Sequence, residues 1–148
     1  MTSYRQILYH IVFSTYNRQS TIPPEQEEAL FKYINGIIKK RKGVLYQING
    51  MGDHLHILSD LHPTMALSDL VKELKTATNF WMHESGKCPL FIAWAEGYCA
   101  LTYNFRDKEM ITSYIRNQKE HHRKVTFEVE YRALLEENGV VVDERYLF

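Results

Sequence analysis

Cysteine is nearly absent from this chain: Cys88 and Cys99 are the only two, and neither belongs to a CxxC pair. That excludes a disulfide framework and a thiolate zinc cluster, and leaves two buried or half-buried thiols as the simplest reading. Long apolar runs are missing as well, since none approaches the roughly 20 residues that a bilayer-spanning helix needs. The N-terminal MTSYRQILYHIVF has neither the basic start nor the small-residue cleavage site of a secretory signal. Repeats, low-complexity tracts and Ser/Gly linkers are also lacking, which argues against a solenoid or a tethered pair of domains. There is no HExxH. The expectation is one globular domain over residues 1–148, soluble and cytoplasmic, with no membrane partner.

Charge of one sign is lacking too. Lysine plus arginine and aspartate plus glutamate both number 18. The distribution is less even than the total. From Val125 to Phe148 there are two basic and six acidic residues, a net −4 that leaves +4 on the rest of the chain. A mildly basic body with an acidic tail permits contact with a phosphate backbone without demonstrating it.

Apolar residues make up 45% of the chain, and their spacing suggests the elements. Gln6 to Thr15 reads as a strand. Pro23-Pro24, followed by Glu25, Glu27 and Glu28, marks a helix start, and Leu30, Ile34, Ile37 and Ile38 recur at helical spacing. Lys39 to Lys42 end that helix and Gly43 is the expected cap. Val44–Asn49 and His54–Asp60 read as a hairpin about Gly50-Met51-Gly52-Asp53. Leu67, Leu70, Leu74, Ala77 and Trp81 stripe a second helix that ends at Gly86, Lys87 and Pro89. Phe91 to Thr102 reads as a strand, straight or bent. Asp107 is the expected cap of a third helix reaching about Lys124, and a short fourth runs from about Phe127 to Asn138, closed by Gly139. The order β-α-β-β-α-β predicts an α+β fold: a ferredoxin-like, RRM-like split β-α-β antiparallel sheet with helices on one face, plus C-terminal helices. Such a fold serves many functions, so function has to come from the site.

Two constellations carry chemistry. In His54-Leu55-His56 the strand alternation sends both imidazoles to one face, read as surface-facing, and Leu55 into the core. Two such rings can converge on one cation. Asp53 is either a turn residue or an acceptor for a histidine N–H. In Tyr114-Ile115-Arg116-Asn117-Gln118, helical steps of about 100° bring Tyr114, Gln118 and His121 onto one stripe beside Ile111 and Ile115. Arg116, Lys119 and Arg123 share a basic stripe. His121 and His122 could assist proton transfer, hold phosphate, or serve the helix end.

Taken together, HLH after a Gly-Asp turn and YIRNQKEHH some sixty residues later resemble the single-tyrosine HUH transposases of small bacterial insertion sequences and their REP-associated tyrosine transposase relatives. The opening Tyr9-His10-Ile11-Val12-Phe13-Ser14-Thr15, Asn17-Arg18 after it, and Trp94-Ala95-Glu96-Gly97-Tyr98 are similar to theirs. The resemblance implies that His54 and His56 are the metal-binding pair, with Gln118 as third ligand and Tyr114 as nucleophile. It implies Mg²⁺ or Mn²⁺ as cofactor, single-stranded DNA hairpins at element ends as partners, and a homodimer in which one subunit's tyrosine helix can complete the other's site. It also implies cutting and rejoining of DNA through a 5′-phosphotyrosine. Arg18, Arg116, Lys119 and Arg123 are the expected DNA contacts, with Asp53 and His121 in supporting positions.

The chemistry is consistent with that set. A free tyrosine, with a pKa of about 10, is a weak nucleophile at neutral pH. A divalent ion on the scissile phosphate acts as Lewis acid and template. Two imidazoles and an amide suit Mn²⁺ better than Mg²⁺, which prefers oxygen. Two other readings stand beside it. One is a metal-dependent hydrolase using activated water, with Tyr114 incidental. The other is a non-catalytic RRM-like module stacking bases on Tyr9, Phe13 or Tyr46.

Overall fold

The computed structural model describes residues 3–147. Its centre is a four-stranded antiparallel sheet in the order β2-β3-β1-β4, with β1 at Leu8–Ser14, β2 at Val44–Met51, β3 at His54–Asp60 and β4 at Cys99–Tyr103. Helices α1 (Glu27–Lys40) and α2 (Leu67–Ser85) form the two crossovers. This is the β-α-β-β-α-β order expected from the apolar spacing.

Two-residue periodicity gives each strand two different faces. Ile11, Phe13, Leu55 and Ile57 point toward α1 and α2, where they are buried with Leu30, Ile34, Ile38, Leu70 and Leu74. The other face carries Leu8, His10 and Val12 of β1 opposite Leu58, His56 and their neighbours on β3. Three C-terminal helices cover it: α3 (Lys108–Arg116), α4 (Gln118–His121) and α5 (Phe127–Glu137). Ile111 and Ile115 pack there on Leu8 and Leu58, and Phe127, Leu134 and Leu135 pack on Val12, Cys99 and Leu101. The sheet is therefore sandwiched. Phe13 is 2% exposed on the α1/α2 side, so it is no platform for stacked bases.

Several boundaries differ from the sequence reading. The strand expected over Phe91–Thr102 is short, Cys99–Tyr103. Before it, Trp94 makes only an isolated bridge to Thr15, and its indole donates to the Thr78 hydroxyl at 2.9 Å. Gly97 adopts φ 78°, which a continuous strand would not permit. The helix expected over Asp107–Lys124 breaks at Asn117, at φ −92° and ψ 18°, giving α3 and α4. Asp107 makes no side-chain cap; Asn104 instead accepts from the Arg106 N–H ahead of α3. At the end of α1 the left-handed residue is Lys42, at φ 64°, rather than Gly43. Gly43 is required for closeness, because a Cβ there would lie 2.9 Å from the Asp60 carbonyl oxygen. By contrast, α5 and its Gly139 terminus, at φ 71°, follow the expected pattern, with Thr126 accepting from the Val129 N–H.

Gly50 fixes the hairpin that presents the histidines. A Cβ at Gly50 would lie 2.1 Å from the His54 carbonyl oxygen and 3.0 Å from the Leu55 Cα. Both are backbone, so the strands must part to admit a side chain. Gly50→Ala is expected to cost about 1–3 kcal/mol, read as a lower urea midpoint at unchanged slope; an unchanged midpoint would show that the hairpin tolerates the spreading.

Candidate functional site

His54 and His56 leave β3 on the face that α3, α4 and α5 cover, and both are fully buried. The surface-facing stripe expected from the sequence is thus corrected: the strand alternation was as read, but the C-terminal helices close over that face. Gln118, the first residue of α4, lies on the side of Ile111 and Ile115 and is fully buried too. Tyr114, on the last turn of α3, is half-buried, and its ring stands edge-on to that of His56 with centroids 5.7 Å apart. The structure thus brings His54, His56, Tyr114 and Gln118 together within one chain.

A residue not anticipated from the sequence sits at their focus. Glu130, on α5, is 4% exposed. Its Oε1 lies 2.9 Å from His122 Nε2, 3.2 Å from His56 Nε2 and 3.3 Å from His54 Nε2. Its Oε2 accepts from the Gln118 amide at 2.8 Å and from the Tyr114 hydroxyl. His121 Nε2 is 3.4 Å from Oε2 without a hydrogen bond.

The outer nitrogens of these rings fix the inner ones. His54 Nδ1 donates to the Asp53 carboxylate at 2.7 Å, and His122 Nδ1 donates to the Val125 carbonyl at 2.7 Å. A neutral ring has one N–H. In that neutral form each Nε2 aims a lone pair inward, at oxygens that are also acceptors: Glu130 Oε1, and for His54 also Gln118 Oε1 at 3.1 Å. Only positive charge between them, protons or a metal ion, reconciles such a cluster. His54, His122 and Glu130 each place a ligand atom within 4.8 Å of the others, and His56 joins through Glu130.

His10 extends the network. Its Nε2 is 2.8 Å from His56 Nδ1 and its Nδ1 is 3.2 Å from the Tyr103 hydroxyl. Burial, helped by His56, pushes His10 down to about 3, although Glu130 pulls the other way. Burial likewise outweighs Glu130 at His56, which falls to about 4. At His54 burial also acts downward, but the hydrogen bonds and charges of Asp53 and Glu130 prevail and raise it to about 8. Burial and the Glu130 carboxylate hold the Tyr114 phenol well above the usual tyrosine range. Desolvation raises Glu130, yet its imidazole hydrogen bonds win and hold it far below the usual carboxylate range.

None of the expected DNA-contacting residues is buried. Arg116 is exposed, and Arg123 pairs with Glu120 at 3.4 Å. Lys119 is tied to the domain, at 2.8 Å from Glu27 and 3.0 Å from Asn49. Arg18, at φ 54°, lines a groove of roughly 730 Å³ with Trp94, Tyr98, Phe127 and Tyr131. The groove reaches the site through Phe127, whose ring stacks on His54 at 4.0 Å. Glu130 was missed because its spacing from Gln118 crosses a turn and a helix boundary; an acidic residue on the apolar side of α5 was the available signal.

The sign of the histidine shifts predicts acid sensitivity. His10 and His56 are held neutral, with folded values below the ordinary 6.5. The unfolded chain therefore binds more protons below that point, and stability falls as pH drops from 6.5 toward 4. His10→Gln is expected to flatten this decline in metal-free protein, seen in urea midpoints across that range. An equally steep decline in the variant would remove His10 from the account.

With this geometry in view, comparison with known proteins is informative. The sequence profile of the family described as "Transposase IS200 like" matches residues 3–118. The ISDra2 transposase TnpA of Deinococcus radiodurans is 27% identical over 118 residues, covering 76% of this chain and 84% of its own. The crystal structure of a candidate transposase from Deinococcus radiodurans R1 superposes with a TM-score of 0.62 at 27% identity, over 80% of this chain and 95% of that one. The REP-associated tyrosine transposase bound to a REP hairpin gives 0.62 at 19% identity, over 84% and 76%, which speaks to the fold.

Proposed function

The chain belongs to the IS200-like transposase family, and from that premise we propose that it cuts and rejoins single-stranded DNA with Tyr114 as the nucleophile. The observation that carries the reading is the placement of the Tyr114 hydroxyl against the same buried group that His54, His56 and Gln118 face. A hydrolase working through activated water gives no reason for a phenol there.

In this reading Tyr114 Oη attacks the scissile phosphorus. A Tyr–O–P bond forms, the P–O3′ bond breaks, and the departing 3′ oxygen takes a proton to become a free 3′-OH. Because the ester energy is kept in the 5′-phosphotyrosine, a second 3′-OH can attack it and join new ends. The phenol must first release its proton, which burial and Glu130 oppose. His54, His56 and Gln118 would hold a divalent cation, Mn²⁺ or Mg²⁺; this would supply Lewis-acid stabilisation of the phosphate charge. The donor chemistry fits, since imidazole nitrogens, an amide oxygen and a carboxylate converge there, and a cation can take the place of the protons they share. Asp53 orients His54, and the His10–Tyr103 pair orients His56.

The aromatic groove beside Phe127 suits an unpaired strand, its rings stacking bases while Arg18 meets the backbone and the exposed Arg116 and Arg123 offer further phosphate contacts. A neighbouring fold binds a REP hairpin, which supports a hairpin at element ends as the partner here. The site assembled within one chain supports attack by each subunit's own tyrosine. The homodimer rests on the edge strands β2 and β4; of the tail, Val142 and Leu147 already pack within the chain, while Val141 and Tyr146 stay exposed.

Tyr114→Phe is expected to abolish the covalent protein–DNA adduct, with at least about a hundredfold loss of cleavage, and to leave hairpin binding nearly intact. Denaturing gels of labelled single-stranded hairpin DNA with Mn²⁺ read both. An adduct surviving in the variant would move the nucleophile elsewhere.

A further inference from the structure

We propose that Glu130 and His122 are themselves metal ligands, so that the cation site is built from β3, α4 and the C-terminal helix α5 together. The inference rests on the metal-assisted reading above and enlarges its ligand set of His54, His56 and Gln118. Neither residue falls within the stretch matched by the family profile, which ends at residue 118.

Geometry carries the inference. The nitrogen His122 aims inward has no hydrogen when its ring is neutral, because the ring's one N–H is given to Val125. It stands 2.9 Å from Glu130 Oε1, an oxygen that can only accept. The same holds of His54, whose N–H is given to Asp53 and whose other nitrogen faces Glu130 Oε1 and Gln118 Oε1. With both rings neutral, two imidazole nitrogens, an amide oxygen and a carboxylate oxygen converge with lone pairs alone. A divalent cation would replace that repulsion with bonds to these four atoms, with the His56 ring beside them as a fifth donor. Ligation also accounts for a carboxylate kept 4% exposed among histidines on a helix whose other buried residues are apolar. A buried charge of that kind is costly unless it is paired or coordinates a metal.

The ligand adds what the imidazole–amide set lacks. A carboxylate oxygen is the donor that Mg²⁺ and Mn²⁺ favour over nitrogen. It also changes what the last helix is for. With Glu130 bound, α5 is fastened to the sheet through the ion as well as through Phe127, Leu134 and Leu135. Metal loading would then stiffen the helix that flanks the aromatic groove.

Calorimetric titration of the whole chain with Mn²⁺, without DNA, tests this. Glu130→Gln keeps the shape but loses the charge and turns one acceptor oxygen into a donor, and His122→Gln removes the ring nitrogen. Both are expected to weaken Mn²⁺ by at least about tenfold, and His54→Ala should abolish binding. Amide hydrogen exchange across residues 127–137 should slow on adding Mn²⁺ to the unaltered chain and change little in Glu130→Gln. Wild-type affinity in both Gln variants, with binding lost in His54→Ala, overturns the proposal and leaves the histidine–glutamine reading intact. Tighter binding in Glu130→Gln also overturns it, making the carboxylate a competitor of the ion. No binding by the unaltered chain overturns both readings. Should Glu130→Gln fail to fold by circular dichroism, Glu130→Asp, which keeps the charge but withdraws it by one methylene, serves in its place. It should weaken Mn²⁺ and is overturned by wild-type affinity, and the exchange measurement stands on the unaltered chain.

Discussion

A single carboxylate, buried between a sheet and a helix, is the point at which β3, α3 and α4 meet α5. Glu130 meets His54, His56 and His122 with one oxygen and Tyr114 and Gln118 with the other. Removing a charge of this kind from water is costly, and only surrounding charge and hydrogen bonds offset the cost. The fold meets that demand from several separate elements. β3 supplies two rings, the last turn of α3 the phenol, α4 the amide, and the segment after α4 the third ring.

Burial also separates the roles of the histidines. His10 and His56 are held neutral, at about 3 and 4, whereas His54, between Asp53 and Glu130, is raised to about 8. A metal ion at His54 would displace the proton that Glu130 favours, on a ring that Asp53 already orients. Tyr114 lies against the cluster with its proton firmly held. That arrangement suits a nucleophile kept quiet until a substrate and its cation change the local charge.

Much of the architecture was legible because it depends on local periodicity. Alternation in β3 placed His54 and His56 together, and helical spacing in Leu30, Ile34 and Ile38 marked α1. Before Cys99, aromatic and apolar residues that read as a strand pack instead as a loop around Trp94, an arrangement that residue type alone does not reveal. At the site, Tyr114 and Gln118 could be read from their spacing and from the family resemblance. Glu130 and the exposure of the histidines could not. Both depend on how α5 returns across the sheet, and that is a matter of tertiary packing among Val12, Phe127 and Leu135.

The central claim is that this covered face of the sheet is a metal centre facing a tyrosine nucleophile. Anomalous diffraction from crystals of the protein grown with Mn²⁺ tests it most directly. The account predicts one strong manganese peak within bonding distance of His54 Nε2 and the Glu130 carboxylate, with the Tyr114 hydroxyl facing it. Manganese bound only at the exposed carboxylates of the tail, with the His54–Glu130 cluster unchanged and empty, would contradict it.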